Sequence, residues 1–437
     1  MILETQPARG PLQGELTPPG DKSISHRAVI FSCLAEGRSK VTGLLQSEDV
    51  KATVNACRQL GMGISREADA LVLEGVGAAG LSKPAAPLDM GNSGTAMRLL
   101  AGVLAAQPFE SVLIGDESLS RRPMTRIVKP LSMMGARIET AGEGTPPLKI
   151  FGSSCLSGID YRSPIASAQV KSCLLLAGLY ASGHTTVSEP LKSRDHTEKM
   201  LPAFGVDLFG DCGVTGGSRL KAAAVHVPAD ISSAAFFLVA AALVPGSDLL
   251  LRNVGLNETR DGVIHVLRAM GADLVITDRR EQGGEAVGDI RARYSGRLRG
   301  VDIPVELVPS MIDELPVVLA LAAVAEGTTR LRGAGELRVK ESDRLAVMAG
   351  GLSELGVSLQ EYRDGMDIRG GAIGGGRVDG AGDHRCAMSF AVLGQVASAE
   401  VRVAGAENID TSFPTFVQDL SRVGGSVRAA DGGSENE

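Results

Sequence analysis

One arrangement of apolar and polar positions recurs six times along the chain. Each copy opens with a polar start and an apolar segment of helical spacing, as in SHRAVIFSCLAEG at 25–37. A turn follows, then a β-rich run such as RSKVTGLL at 38–45, HTTVSEPL at 184–191 or TTRLRGAG at 328–335. A polar loop leads into a second amphipathic segment, as in VKATVNACRQLG at 50–61. A glycine then closes each copy ahead of a short strand, in LGMGI, MGARI, FGVDL, MGADL, LGVSL and VGGSV. These glycines are Gly61, Gly135, Gly205, Gly271, Gly356 and Gly424, and each is predicted to take the left-handed conformation that ends a helix. The spacing of the copies is too long for a solenoid repeat and suits a small α/β unit. One such unit cannot bury both of its faces, so the six must pack together.

The first helices of the six copies begin DKSISHR, NSGTAMR, SPIASAQVK, ADISSAAFF, MIDELPVV and GDHRCAMSF. Asp, Ser and Asn favour helix N-caps, and the free N–H groups of such termini attract anions. Cations accompany them: Lys22, Arg27, Arg98, Lys171 and Arg385 at the helix starts, with Arg121, Arg122, Arg126, Arg194, Lys340 and Arg344 in loops. On local pattern alone, the Asp of DELP reads as a helix cap and KESDR as a solvated helix face.

The net charge of −7 argues against a general nucleic-acid binder, so these cations stand out from an acidic background. The absence of Trp and an aromatic content of 3% leave little for base stacking or for a membrane belt. The longest apolar stretch, Ala234–Val244, is too short to span a bilayer, and MILETQPARG does not read as a signal peptide, so a cytoplasmic protein without membrane or nucleic-acid partners is expected. The six cysteines form no CxxC pair and read as reduced, mostly buried thiols, and no metal site is expected. PPGDKS fails as a phosphate-binding Walker loop because Asp21 separates the Gly from the Lys. The end of the chain, RAADGGSENE, reads as a flexible tail.

Eight segments together carry a resemblance. They are PGDKSISHRA (19–28), GNSGTAMRLL (91–100), RRPM (121–124), SAQVKS (167–172), SRDHTEKML (193–201), DELP (313–316), LRVKESDRL (337–345) and GDHRCAMSF (382–390). In this order and spacing, over Pro19 to about Leu420, the chain resembles the 5-enolpyruvylshikimate-3-phosphate synthase family of enolpyruvyl transferases. The resemblance implies an α/β fold of two globular domains, each of three βαβαββ repeats, with the active site in the interdomain cleft. It implies a discontinuous domain of residues 1–20 and 227–437 (repeats four to six) and an inserted domain of residues 21–226 (repeats one to three). It also implies a monomer.

The implied reaction moves the enolpyruvyl group of phosphoenolpyruvate to the 5-hydroxyl of 3-phosphoshikimate, through a tetrahedral ketal, with release of phosphate. This step belongs to the shikimate route to chorismate and the aromatic amino acids. It involves no redox step, so no cofactor is implied. Two polyanions must be gathered, and an acid and a base must move protons on and off them. By resemblance, Lys22, Ser23, Arg27, Ser167, Ala168, Gln169, Arg194, Asp313 and Lys340 bind 3-phosphoshikimate. Lys22, Gly94, Arg122, Gln169, Arg344 and Arg385 bind phosphoenolpyruvate. Asp313 is the implied proton acceptor and Glu341 the proton donor, with Lys22 as a third catalytic group.

Three positions depart from the family pattern. Ala168 replaces a serine, and Arg194 can supply the missing phosphate donor. Thr411 stands where a Lys is common, and Leu99 where a Pro often follows GTAMR. For the inhibitor glyphosate, which occupies the phosphoenolpyruvate site in the family, Gly94 favours retained binding and Leu99 favours weakening. The alternatives are a UDP-N-acetylglucosamine enolpyruvyl transferase, disfavoured because GDESLSRRPM lacks the expected Cys, and a non-catalytic anion-binding scaffold, disfavoured by Asp313, Glu341 and Lys22. An RNA 3′-phosphate cyclase is disfavoured because His384 lies in a DHR motif.

Overall fold

The computed structural model describes residues 1–430. Of the tail read as flexible, residues 428–430 finish the strand Val427–Ala430, and the remainder lies outside the described residues. The chain divides into two units. The inserted unit comprises Gly20–Val227 with Glu281–Glu285, and the split unit comprises Met1–Pro19, Pro228–Arg280 and, of the described residues, 286–430.

Six sheets correspond to the six copies of the sequence pattern. The second is the plainest. Its strands run Leu88–Asp89, Ser111–Ile114, Thr145–Ile150, Ile138–Ala141, with the first pair parallel and the others antiparallel. Helices Gly94–Ala105 and Thr125–Met133 connect them, which gives βαβαββ in chain order. Elsewhere the strands are shared. In the first sheet, Ala35–Thr42 takes its parallel partners, Leu220–Lys221 and Ala224–His226, from the far end of the inserted segment. The third sheet consequently keeps three strands.

The N-terminal segment does similar work in the split unit. Gln13–Leu16 pairs in parallel with Asp248–Gly255, so it is the first strand of the fourth sheet. Ile2–Thr5 lies between Val401–Ala404 and Val427–Ala430, antiparallel to both, in the sixth. The first sixteen residues therefore close two sheets whose other strands lie more than two hundred residues away.

The first helix of each repeat is buried on nearly all sides. Every residue of Ile231–Leu243 is buried, and so is every residue of Leu315–Ala322 and of His384–Leu393. In the inserted unit, Lys22–Leu34, Gly94–Ala105 and Ala168–Gly178 play the same part. The second helices, such as Glu48–Gln59, bury one face, as their amphipathic sequences require. All six closing glycines have positive φ, between 78° and 112°. Five of the six buried helices have the expected side-chain caps: Asp21, Ser93, Ser167, Asp230 and Asp383 each accept from a backbone N–H in the first turn. The sixth, Leu315–Ala322, begins after Glu314 without a side-chain cap bond. Among the described residues all six cysteines are free. Cys33, Cys57, Cys173 and Cys386 are buried, Cys212 is half-buried and Cys155 is exposed. No described helix is long and apolar enough to cross a membrane.

Packing of these buried helices is close enough to leave no room for a methyl group at Gly102. A Cβ there would lie 2.2 Å from the carbonyl oxygen of Cys173 on the neighbouring buried helix. Gly102→Ala is expected to destabilise the protein by about 2 kcal/mol or more, because backbone rather than a mobile side chain must yield. Gly10→Ala, where a Cβ meets nothing within 4 Å, serves as the neutral comparison. Urea midpoints of the two variants and the parent check the difference.

Candidate active site

In the inserted unit, three buried helices present their N-termini together with cations. Asp21 caps the first, and its neighbour Lys22 extends to Asp49, with Nζ 2.5 Å from Oδ2. Arg27, one turn later, is fully buried. Its Nε donates to Thr197 Oγ1 at 2.7 Å, Nη1 to the Ser23 carbonyl at 2.9 Å, and Nη2 to Ser172 Oγ at 2.7 Å. These acceptors are neutral, and burial lowers the Arg27 pKa to about 10 against the pull of Glu198 and Asp21. The adjacent His26 is pushed well below its usual range, by burial first and then by Lys22 and Arg27, so it stays neutral.

The second helix start is built around a missing side chain. A Cβ on Gly94 would lie 2.7 Å from Arg98 Nη1 and 3.3 Å from Arg122 Nη1. Two guanidiniums thus converge on the bare backbone at a helix N-terminus, where free amides and the helix dipole already favour an anion. Both side chains are held. Arg98 donates to Gln169 Oε1 at 2.6 Å and to the Pro123 carbonyl at 3.3 Å. Arg122 donates to Asn92 Oδ1 at 2.5 Å and to Ser118 Oγ at 3.3 Å. Gln169 completes the chain by donating to Thr95 Oγ1 at 2.8 Å.

At the third helix start, Ser167 is the cap and Ala168 and Gln169 are the first helical residues. Arg194 is half-buried in the loop that follows strand His184–Ser188. It lies close enough to Arg27 to depress that residue's pKa. Lys22, Ser23, Arg27, Gly94, Arg122, Ser167, Ala168, Gln169 and Arg194 therefore all belong to this unit, at or beside the three helix starts.

The split unit holds the carboxylates. Arg344 is the hub, with 1% of its side chain exposed. Its Nε donates to Asp383 Oδ2 at 2.7 Å, Nη1 to Asp313 Oδ1 at 3.0 Å, and Nη2 to Glu341 Oε2 at 2.6 Å. Burial alone would lower its pKa, but Asp383, Glu341 and Asp313 outweigh burial and hold it well above its ordinary value. Lys340 Nζ approaches the same Asp313 oxygen at 3.4 Å. Arg385 Nη1 donates to the Asp313 backbone carbonyl at 3.2 Å. Asp313, Lys340, Glu341, Arg344 and Arg385 thus form one network.

Two local expectations are corrected. Asp313 is not a helix cap. It stands in the turn between the 3-10 segment Val305–Met311 and Glu314, and its carboxylate points to cations. KESDR is not a solvated helix face, because Asp343 caps helix Arg344–Glu354 and Lys340 and Glu341 precede it. The cations at the helix starts were easy to see in the sequence, but their partners Asp383, Asn92 and Thr197 were not. Arg338 was missed as well. It bonds both Asp343 oxygens, Glu361 and the carbonyls of Tyr362 and Arg363, and so fixes the backbone that carries Lys340 and Glu341. The one available signal was Asp383, at the same cap position as Asp21 and Asp230. Thr411, at the departure from the family pattern, donates to the Asn408 carbonyl at 2.6 Å beside His384.

Comparison with known proteins agrees along nearly the whole chain. The family model described as EPSP synthase (3-phosphoshikimate 1-carboxyvinyltransferase) matches residues 7–420. A 3-phosphoshikimate 1-carboxyvinyltransferase of Xanthomonas campestris pv. campestris (strain B100) is 56% identical over 409 residues, 93% of each chain. One from Halorhodospira halophila (strain DSM 244 / SL1) is 56% identical over 420 residues, 95% of this chain and 94% of that one. The solved EPSP synthase of Acinetobacter baumannii matches with a TM-score of 0.88 at 47% identity, covering 98% of this chain and 100% of that one.

The Arg344 network yields a stability prediction. Asp383→Ala removes a buried carboxylate from a buried guanidinium and also removes a helix cap. The expected loss is about 3 kcal/mol or more, read as a shift in the urea midpoint. A shift below about 1 kcal/mol would show that Asp313 and Glu341 suffice to hold Arg344.

Proposed function

The chain belongs to the EPSP synthase (3-phosphoshikimate 1-carboxyvinyltransferase) family, and we infer from that premise how its own residues carry out enolpyruvyl transfer. The enzyme transfers the enolpyruvyl group of phosphoenolpyruvate to 3-phosphoshikimate in the shikimate pathway and releases phosphate. Both substrates are polyanions, so the first requirement is concentrated positive charge. The convergence of Arg98 and Arg122 on the bare backbone of Gly94 carries the reading, because this arrangement suits a carboxylate or phosphate and little else. In our assignment phosphoenolpyruvate is gripped there, with Lys22, Gln169, Arg344 and Arg385 as further contacts. The 3-phosphate and hydroxyls of 3-phosphoshikimate are taken by Lys22, Ser23, Arg27, the Ser167–Gln169 helix start, Arg194, Asp313 and Lys340.

Proton movement is assigned to the split unit. Glu341 delivers a proton to the methylene carbon of phosphoenolpyruvate while the 5-hydroxyl oxygen bonds to its C2, and Asp313 receives the hydroxyl proton. The product of this addition is a tetrahedral ketal phosphate. Return of a proton from the new methyl group to Glu341 and departure of phosphate then regenerate the double bond. Asp313 suits the base role because Lys340 and Arg344 hold its carboxylate in place. Such positioned acid–base groups contribute about 10² to 10⁴ in rate. We take the protein to act as a cytoplasmic monomer, with the two sets of residues serving one substrate pair.

The reading is tested by phosphate release in the purified protein, which is expected only when phosphoenolpyruvate and 3-phosphoshikimate are both present. Release from phosphoenolpyruvate alone would overturn it. Asp313→Asn is expected to lower kcat by about 100-fold or more while both KM values stay within a few-fold. An unchanged kcat would remove Asp313 from the chemistry. Gly94→Ala places a methyl group against Arg98 and Arg122, and is expected to raise the KM for phosphoenolpyruvate about tenfold with little effect on that for 3-phosphoshikimate. Steady-state kinetics with each substrate varied in turn reads both outcomes.

A further inference from the structure

Behind the helix start assigned to the 3-phosphate lies a buried charge cluster that the reaction does not use. Glu189, on the loop after strand His184–Ser188, is almost fully buried, with 6% of its side chain exposed. Its Oε1 accepts from the Ser167 backbone N–H at 2.7 Å and from Ser193 Oγ at 2.8 Å. Its Oε2 accepts from the same hydroxyl at 2.7 Å and from the Ser193 backbone N–H at 3.3 Å. Lys171 Nζ lies 3.1 Å from Glu189 and 2.8 Å from Glu198. Burial opposes the charge on Lys171, but the two carboxylates prevail and raise its pKa, so Lys171 keeps its charge.

The placement of these bonds is informative. One carboxylate joins the N-cap of helix Ala168–Gly178, a lysine one turn into that helix, and the residue immediately before Arg194. Just past the loop, Thr197 of helix His196–Met200 is tied to the same helix, since it shares a hydrogen bond with Ser172 at 2.7 Å and accepts from Arg27. The intervening stretch is thus clamped at both ends, and Arg194 sits one residue beyond the first clamp. Resting on the assignment of Arg194 and Ser167 to the 3-phosphate, we propose that Glu189 is a positioning residue for 3-phosphoshikimate. Its carboxylate latches the Arg194 loop to the helix start, so that one anion meets both. A negatively charged residue here is tolerated because Lys171 and the helix amides offset its charge before any substrate arrives.

The proposal separates from a merely structural role in steady-state kinetics. Glu189→Gln keeps an acceptor oxygen and loses the charge that holds Lys171. It is expected to raise the KM for 3-phosphoshikimate about tenfold, with kcat and the KM for phosphoenolpyruvate within about twofold. Arg194→Ala should raise the same KM at least as much, and the double variant should be no worse than Arg194→Ala, because Glu189 acts through Arg194. Multiplying effects in the double variant would overturn the proposal, as would an unchanged KM in Glu189→Gln when Arg194→Ala raises it. If Arg194→Ala alone changes nothing, the assignment of Arg194 fails and the proposal falls with it. Should Glu189→Gln not fold, Ser193→Ala, which deletes the hydroxyl bonded to both Glu189 oxygens, is expected to show the same selective rise at about two- to fivefold. An unchanged KM there overturns the latch.

Discussion

A guanidinium removed from water needs acceptors on every side, and the split unit is organised around that need at Arg344. Three carboxylates from three stretches of chain meet on it: Glu341 just before its own helix, Asp313 before another, and Asp383 at the start of a third. Removing a partner from such a group costs several kcal/mol, so the cluster fixes where those stretches can lie. The inserted unit solves the same problem differently. Arg27 is as buried as Arg344, yet its bonds go to two hydroxyls and a carbonyl. The opposite pKa displacements, upward for Arg344 and down to about 10 for Arg27, record the difference. Charge is balanced by direct ion pairs at Arg344 and held in reserve at Arg27. A reserve of positive charge fits the gathering of polyanions, and a balanced cluster fits groups that must exchange protons at fixed positions.

The location of these groups follows from the buried helices. A helix apolar on every face offers no side on which a charge can stand. Polar chemistry is confined to its ends, where four N–H groups still lack helical partners. Caps such as Asp21, Ser93, Ser167 and Asp383 satisfy one donor each. Residues beside the caps, joined by the long side chains of Arg27 and Arg98 one turn on, then face the place where an anion is held. That is why Lys22, Gly94, Gln169 and Arg385 share nearly the same place in four repeats.

Much of this was legible in the sequence. Gly61, Gly135, Gly205, Gly271, Gly356 and Gly424 mark the six repeats because a local backbone requirement leaves a local signature. Capping by Asp21 or Ser167 was legible for the same reason. Long-range pairing was not. Nothing in ILET announces that Ile2–Thr5 will lie between Val401–Ala404 and Val427–Ala430, since any short alternating strand would serve. DELP and KESDR misled at the local level. An Asp ahead of a helix and a mixed-charge run have ordinary local uses, and here the distant Arg344 and Asp383 override them. The family resemblance gathered Asp313 and Glu341 as candidates, but not the reason they are held. Glu189 escaped because a carboxylate near an expected phosphate site looks unfavourable until Lys171 is seen beside it.

Gathering like charges has its own cost. Two unit charges some 6 Å apart repel by about 3 kcal/mol at an effective dielectric of 20. The protein meets this cost with internal partners: Lys22 rests on Asp49, Lys340 on Asp313, and Arg98 on the amide oxygen of Gln169. A substrate anion therefore gains only the difference between its own contact and the one it replaces or shares. That difference is smaller than the raw attraction, and it lets a strongly cationic site release a product that is itself an anion. Where no exchange is needed, as at Lys171 between Glu189 and Glu198, the pairing is deeper and complete. Among these three lysines the scaffold pair is the most buried, with Lys171 3% exposed against 16% for Lys22 and 24% for Lys340.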